Sequence, residues 1–358
     1  MRPSPIILCL LGALLAPRLA LPCAIAPPEG SEVAIEHEDA LIVWDPDKGV
    51  EHFIRRARFD TTAKDFGFLV PTPSKPELAE VPEALFDRLT EAIKPEVKER
   101  TGFTVEPVSL FFCMTLRSAD MDGMAPTLSA PAVKVLEQKQ VGGLDAAVLE
   151  ATETTPLLEW LQKNGYPHAP QLDGWLEPYV KAGWKITAFK IAGELPDSRV
   201  LEPVSIQSTL VRMSFPATKP FYPYREPQRA RPELGGERSL RVWLVGPGRL
   251  DGTLGEDGRG WPGRVVYAAP RTDLAQLLAD ALPSDTAPPE GWLTAYVDAS
   301  SPRRGTDEVF FQASMNLAPV LPPPVFVDRR TTIPLPLELF FLGFVAVGVI
   351  LVRRRRNR

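Results

Sequence analysis

The sequence predicts an α+β fold of mostly antiparallel strands with a few short helices, followed by one C-terminal transmembrane helix. Three observations carry that expectation. The chain has 39 prolines in 358 residues, about twice the usual share of ~5%. Each proline fixes φ and removes a backbone donor, which disfavours long helices and uninterrupted central sheets. Apolar residues alternate in short runs between Gly, Pro and Asp turns, as half-buried strands do. Strands followed by a capped helix occur twice, at about 32–94 and 131–165, hinting at a duplicated meander-plus-helix unit in pattern rather than in letters.

Taken in order, EVAIEHEDALIVWDPDKGVEHFIRRARF is a hairpin. Leu41 and Val43 alternate with Ile42 and Trp44, Asp45 to Gly49 supplies the turn, and Val50 to Phe59 returns. In DFGFLVPTP, Phe66, Phe68 and Val70 take one face of a strand that Pro71 and Pro73 end. Pro82 opens a helix carrying Leu85, Leu89 and Ile93 at helical spacing, and Pro95 closes it. VEPVSLFFCMTL is a strand, and VKVLEQKQVGGLDAAVLEA a hairpin around Gly142-Gly143. Thr155 caps a helix with Pro156 at its first position and Leu157, Trp160 and Leu161 inside; Gly165 stops it. A helical turn near Pro178 to Ala182, a strand WKITAFKI and a strand from Ile206 to Phe215 follow. The breaker-rich residues 225–239 read as a loop or a boundary, after which short strands and a helix near Thr272 to Ala281 continue.

Both ends are apolar. Arg2 and the run from Ile6 to Ala16 read as a signal peptide over residues 1–22, too short to span a bilayer as a helix of ~20 residues. From Ile333 to Val352 the only charge is Glu338, and Arg353, Arg354, Arg355 and Arg356 then form a membrane stop. Residues 333–352 are therefore expected to be a transmembrane helix, 353–358 a cytoplasmic Arg-rich tail, and 319–332 a proline-rich stalk. This predicts a single-pass protein of the cell membrane with its N-terminal part periplasmic and the lipid bilayer as a partner of the helix. An uncleaved N-terminal anchor and a processed C-terminal sorting tail are the alternatives.

With Cys9 inside the signal peptide, Cys23 and Cys113 remain, and in an oxidising compartment they suit one disulfide. The alternative is a buried free Cys113 with Cys23 on a tail. Forty-five acidic against 40 basic residues, a formal net charge of −5, argue against a nucleic-acid partner.

Four stretches resemble the bacterial family known as domain of unknown function 2330. They are PCAIAP, DFGFLVPTPSKPEL, LLEWLQKNGYP with LEPYVKAGWKITAFKI, and IQSTLVRMSFPATKPFYPYR, together spanning about residues 22–226. Cys23 is followed by Ala24-Ile25 where the family usually has Cys-Gly-Gly. The resemblance implies an exported, often membrane-anchored bacterial protein and brings no catalytic residues. On it, residues 23–226 form a family-like α+β domain and 227–318 a β-rich continuation or second subdomain.

Motifs for chemistry are sparse. Asp65-Phe66-Gly67 is the magnesium triplet of protein kinases, but no catalytic loop or glycine-rich loop accompanies it. No Gly-x-Ser-x-Gly, Walker loop, His-Glu-x-x-His or dinucleotide fingerprint occurs, so no cofactor and no metal are expected. In the hairpin His52 lies opposite about Val43 and His37 opposite about Arg58, too far apart along the ribbon to share a metal; His168 stands apart from both. The pairs Asp45/Asp47 and Asp120/Asp122 read as turns rather than calcium loops, and Asp251, Glu256 and Asp257 lie in a glycine-rich loop where an incidental calcium is the minor alternative. Glu36 and Glu38 fall on one face of a strand, as glycosidase carboxylates could. Phe221, Tyr222 and Tyr224, with Trp160, Trp175 and Trp184, either fill a core or line a peptide or sugar groove. These readings favour a membrane-anchored binding, adaptor or envelope-structural module with an envelope protein or glycan partner. The alternative is a carboxylate-using hydrolase.

Overall fold

The computed structural model describes residues 24–26, 33–63, 65–108, 136–166, 171–192, 204–227, 238–283, 286–300, 305–336 and 348–356. Strand β1 (Ala24–Ala26) precedes the hairpin of β2 (Val33–Asp45) and β3 (Val50–Thr61). Then come β4 (Asp65–Thr72), β5 (Glu77–Glu80), helix α1 (Leu85–Ala92) and β6 (Val97–Val108). The hairpin of β7 (Glu137–Val141) and β8 (Leu144–Leu149) leads into α2 (Thr154–Lys163) and α3 (Gln171–Lys181). Strands β9 (Lys185–Ala192), β10 (Val204–Gln207), β11 (Val211–Pro216) and β12 (Phe221–Tyr222) follow. The remainder is β13 (Ser239–Gly246), β14 (Leu250–Leu254), β15 (Arg259–Gly260), β16 (Arg264–Arg271), α4 (Leu274–Leu277), β17 (Gly291–Asp298), β18 (Val309–Ala313) and β19 (Val325–Pro336).

The chain divides into two units. In the first, residues 1–93 and 127–321, an eight-stranded sheet runs β16-β17-β13-β2-β3-β11-β5, with β10 also on β3. All its pairings are antiparallel except β13 with β2. One face, with Leu41, Val43, Ile54, Trp243 and Val245, is covered by Leu85, Phe86 and Leu89 of α1 and Leu274 and Leu277 of α4. The other carries Ile42, Phe53, Phe59, Val242 and Leu244. It packs on a five-stranded sheet (β1-β4-β9-β8-β7) and a four-stranded one (β12-β18-β14-β15) through Phe66, Phe68, Phe189, Phe221, Tyr222 and Phe311. The outer face of the five-stranded sheet, with Leu69, Ala147 and Ala188, is sealed by Leu157 and Leu161 of α2 and Leu172, Trp175 and Leu176 of α3.

The second unit, residues 94–126 and 322–358, contains a parallel two-stranded ribbon of β6 and β19 that begins with Val325 opposite Val97. Arg329 pairs with Glu99 at 3.0 Å, and the Arg100 guanidinium lies over the Phe326 ring.

This architecture corrects several expectations. The protein is mostly β rather than α+β. Among the described residues no duplicated unit appears: β2, β3 and β5 belong to the eight-stranded sheet while β4 and the β7–β8 hairpin build the five-stranded one. The transmembrane helix is overturned as well. Ile333 to Pro336 are the end of β19, where Pro334 and Pro336 hold φ and lack the donors a helix needs. Residues 348–356 form a short helix ending on Arg353, Arg354, Arg355 and Arg356, and no helix among the described residues is long and apolar enough to cross a membrane. The single-pass membrane placement is overturned with that helix. The signal-peptide residues 1–22, Cys23 and Cys113 lie outside the described residues, and no disulfide is found among those described.

Smaller differences have local causes. Helix α2 starts one residue before Thr155, its N-cap is Glu153, and no side chain caps it. The turn near Pro178 is the end of an eleven-residue helix, because Leu172, Trp175, Leu176 and Tyr179 supply a continuous buried stripe that outweighs an internal proline. Within residues 227–318, β13 lies directly against β2 and carries β17 and β16 beyond it in the first sheet, while β14, β15 and β18 belong to the four-stranded one. The β7–β8 hairpin turns on Gly142 and Gly143, both at positive φ, as a two-residue turn requires.

Gly67 of the kinase-like triplet sits in β4 between Ala26 and Lys190. A Cβ there would overlap the Tyr166 ring and come within 3.3 Å of the Phe189 carbonyl. Gly67→Ala is therefore expected to destabilise the fold by about 1–3 kcal/mol through overpacking, read as a lower urea midpoint. The triplet is a packing motif.

Candidate functional site

Of the two readings left open for Phe221, Tyr222 and Tyr224, core or groove lining, their burial fits the core. Phe221, Tyr222 and Tyr224 are all buried, because their segment threads between sheets and meets four buried acids in succession. The Phe221 amide donates to Glu51 Oε2 (2.9 Å) and the Tyr222 hydroxyl to Glu38 Oε1 (2.6 Å). The Tyr224 hydroxyl donates to Asp298 Oδ2 (2.8 Å) and the Arg225 amide to Glu308 Oε2 (3.1 Å). Pro223, which has no N–H to satisfy, spans the middle. Trp175 is buried in the α3 layer and donates its indole N–H to the Arg225 carbonyl, while Trp160 and Trp184 pack against that layer.

The acids on this strap differ in their electrostatics. Arg55 Nε lies 2.6 Å from Glu38 Oε1 as a buried ion pair. Burial pushes the Glu51 carboxyl well above its usual range, opposed by the Phe221 amide. Burial also raises Glu308, against hydrogen bonds from Tyr179 and Arg225 that favour its charged form.

The candidate ligand sets separate in space. The hairpin places His52 opposite Val43 and His37 opposite Arg58. His52 Nδ1 is 2.8 Å from Ser214 Oγ, and burial, with Arg212 nearby, lowers its pKa to about 4. Asp45 accepts the Asp47 and Lys48 amides and so closes the turn. Asp251 accepts from Ser314, Glu256 pairs with Lys219, and Asp257 pairs with Arg259, three different directions. No group of three metal-ligating side chains forms among the described residues; His168, Asp120 and Asp122 lie outside them. The Glu36/Glu38 pair is split by a bulge between Ile35 and His37, which leaves Glu36 exposed beside Arg58 and turns Glu38 inward. A bulge shifts the face of every residue beyond it, and the alternating pattern alone does not show one.

Two surface features were not legible in the sequence. One is the loop after β18. Met315 is fully exposed, and Leu317 and Leu321 are 60% and 63% exposed. Yet the loop is held rigidly: the Asn316 amide donates to Ser314 Oγ, the Ala318 amide to Asn316 Oδ1, and Arg249 to the Ala318 carbonyl. Val320 exchanges two backbone hydrogen bonds with Ala268.

The other is a polar end on the helix-covered face of the large sheet. Parallel pairing sets Ser239 beside His37 and Arg241 beside Asp39, and the hairpin sets Arg58 and Arg56 on the other side of them. Ser239 Oγ is 2.6 Å from His37 Nδ1, His37 Nε2 is 3.0 Å from Asp39 Oδ2, and Arg56 reaches the same oxygen at 3.0 Å. Burial alone would raise the Asp39 carboxyl, but the bonds from His37 and Arg56 hold it below its usual range. Ser239 is 202 residues from His37, so no local motif announces the contact.

A family model described as "Uncharacterized protein conserved in bacteria (DUF2330)" matches residues 17–307. The chain belongs to this family. The match takes in both the strap and the polar row, and it extends through β13 to β17, beyond the stretches whose resemblance was evident. The apolar loop at 314–321 follows the matched span. A search of curated proteins found no match to the chain.

Proposed function

We propose that this family member is a binding module that docks to a protein partner through the loop at residues 314–321. The observation that carries the reading is a fully exposed Met315, flanked by exposed Leu317 and Leu321, on a loop already held by its own hydrogen bonds. Exposed apolar side chains lower the solubility of a protein, and clusters of them mark interaction sites. A preordered loop loses little conformational entropy on binding, and methionine adapts to irregular apolar clefts. The partner chemistry is an apolar protein cleft: residues 312–321 include no lysine or arginine to meet an anionic headgroup.

The reading is tested with a photoreactive group at position 315 in extracts of the source bacterium. A discrete adduct is expected that Leu317→Asp and Leu321→Asp both abolish, at unchanged folding stability, since surface substitutions shift it by only ~0.5 kcal/mol. Identical adducts with and without the aspartates would overturn it.

A further inference from the structure

We propose that Ser239, His37 and Asp39 form the nucleophile, base and orienting acid of an acyl-ester hydrolase whose substrates carry an anionic group. The proposal goes beyond the docking reading and uses a different part of the molecule. Its basis is a continuous hydrogen-bonded row, Ser239 Oγ to His37 Nδ1 at 2.6 Å and His37 Nε2 to Asp39 Oδ2 at 3.0 Å.

The order of burial along the row is the one such a relay needs. Asp39 has 5% of its side chain exposed, while His37 has 37% exposed, and Ser239 is half-buried. The acid is thus shielded behind an imidazole that solvent and substrate can reach. An ionised Asp39 accepting the Nε2 proton leaves the Nδ1 lone pair facing the serine hydroxyl, the tautomer a general base requires. Serine-protease triads use the two ring nitrogens the other way round, but such a constellation is defined by roles and geometry rather than by atom label or chain order. Arg56 donates to the same Asp39 oxygen and is a positioning residue.

The surrounding charge indicates the substrate class. Arg58 stands beside His37 in the register and Arg241 beside Asp39; Arg264 is two strands from Arg241, opposite Val297, which itself pairs with Arg241. Arg58 and Arg264 are exposed, and Glu36 approaches Arg58 only to 4.0 Å. An ester bearing a carboxylate or phosphate would find counter-charge on the nucleophile's own strand, at Arg241, and two strands away on either side, at Arg58 and Arg264.

In the reaction, Ser239 Oγ adds to the ester carbonyl carbon as its proton passes to His37 Nδ1. The carbon–oxygen bond to the alcohol breaks, and His37 returns that proton to the departing alcohol. Water then attacks the acyl-serine, giving a proton to His37. The acid leaves and Ser239 Oγ takes the proton back. Ester and water are consumed, acid and alcohol are formed, and no cofactor enters.

Incubation of the full chain with a fluorophosphonate probe, followed by peptide mapping, tests the nucleophile. One label on Ser239 is expected, lost in Ser239→Ala and in His37→Ala at unchanged urea midpoint. With p-nitrophenyl esters, Asp39→Asn is expected to lower kcat by about 100-fold or more with little change in KM. A merely structural Asp39 would move the urea midpoint instead. Arg58→Ala is expected to lower the preference for an anionic over a neutral ester about tenfold. A folded wild-type chain that takes no label on Ser239, or ester turnover unaffected by Ser239→Ala, would overturn the proposal.

Discussion

Replacing Arg55 by methionine is expected to destabilise the protein by about 3–5 kcal/mol, because it leaves the Glu38 carboxylate in the core without the cation beside it. Glu38 is completely buried, Arg55 Nε stands 2.6 Å from its Oε1, and the guanidinium also lies over the Phe68 ring at 4.9 Å. The Tyr222 hydroxyl reaches the same oxygen but carries no charge. Removing both members is a different experiment. In the Arg55→Met/Glu38→Met pair neither member of this ion pair is left without the other and the volume stays filled, so most of the loss is expected to be regained. Urea denaturation of the two single variants and the double one measures the coupling, provided the slope with denaturant is unchanged. Additive losses in the double variant would show that the pair is not coupled.

Glu51→Gln is expected to stabilise the protein at neutral and alkaline pH and to leave it unchanged in acid. Burial holds the folded-state pKa of Glu51 well above 4.5, and the Phe221 amide only partly opposes this. A carboxyl raised in this way contributes stability that is fully present below its unfolded pKa and is lost as pH rises. Between the unfolded and folded values the loss is about 1.4 kcal/mol per pH unit. Glutamine keeps the acceptor for the Phe221 amide and cannot ionise, so its advantage grows from about pH 4.5 upwards. Thermal melts of both proteins from pH 4 to 9 read the difference directly. Parallel curves across that range would mean that Glu51 ionises in the folded state as it does in the unfolded chain.

Both effects originate in the segment Phe221-Tyr-Pro-Tyr-Arg225, which shows how far residues alone could be read. Its aromatic character was plain, and so was the choice between core and surface. What decided for the core were acids at 38, 51, 298 and 308, none near it in the chain. The Ser239–His37–Asp39 row was invisible for the same reason: a parallel pairing across 202 residues leaves no spacing to recognise. The Glu36/Glu38 reading failed on a single bulge residue. The membrane helix failed where hydropathy competed with Pro334 and Pro336, and the strand won at those positions.

By itself the sequence determined the local hairpins and family membership. Asp45 pairs with Val50, which puts His52 against Val43 and His37 against Arg58, because a short turn and an alternating pattern together leave one register. Gly142-Gly143 likewise dictated the β7–β8 turn. Only the tertiary structure decided which strands share a sheet, which acids are buried, and which polar side chains meet. Those outcomes depend on contacts between distant segments, whose entropy cost is repaid only once the whole core has closed.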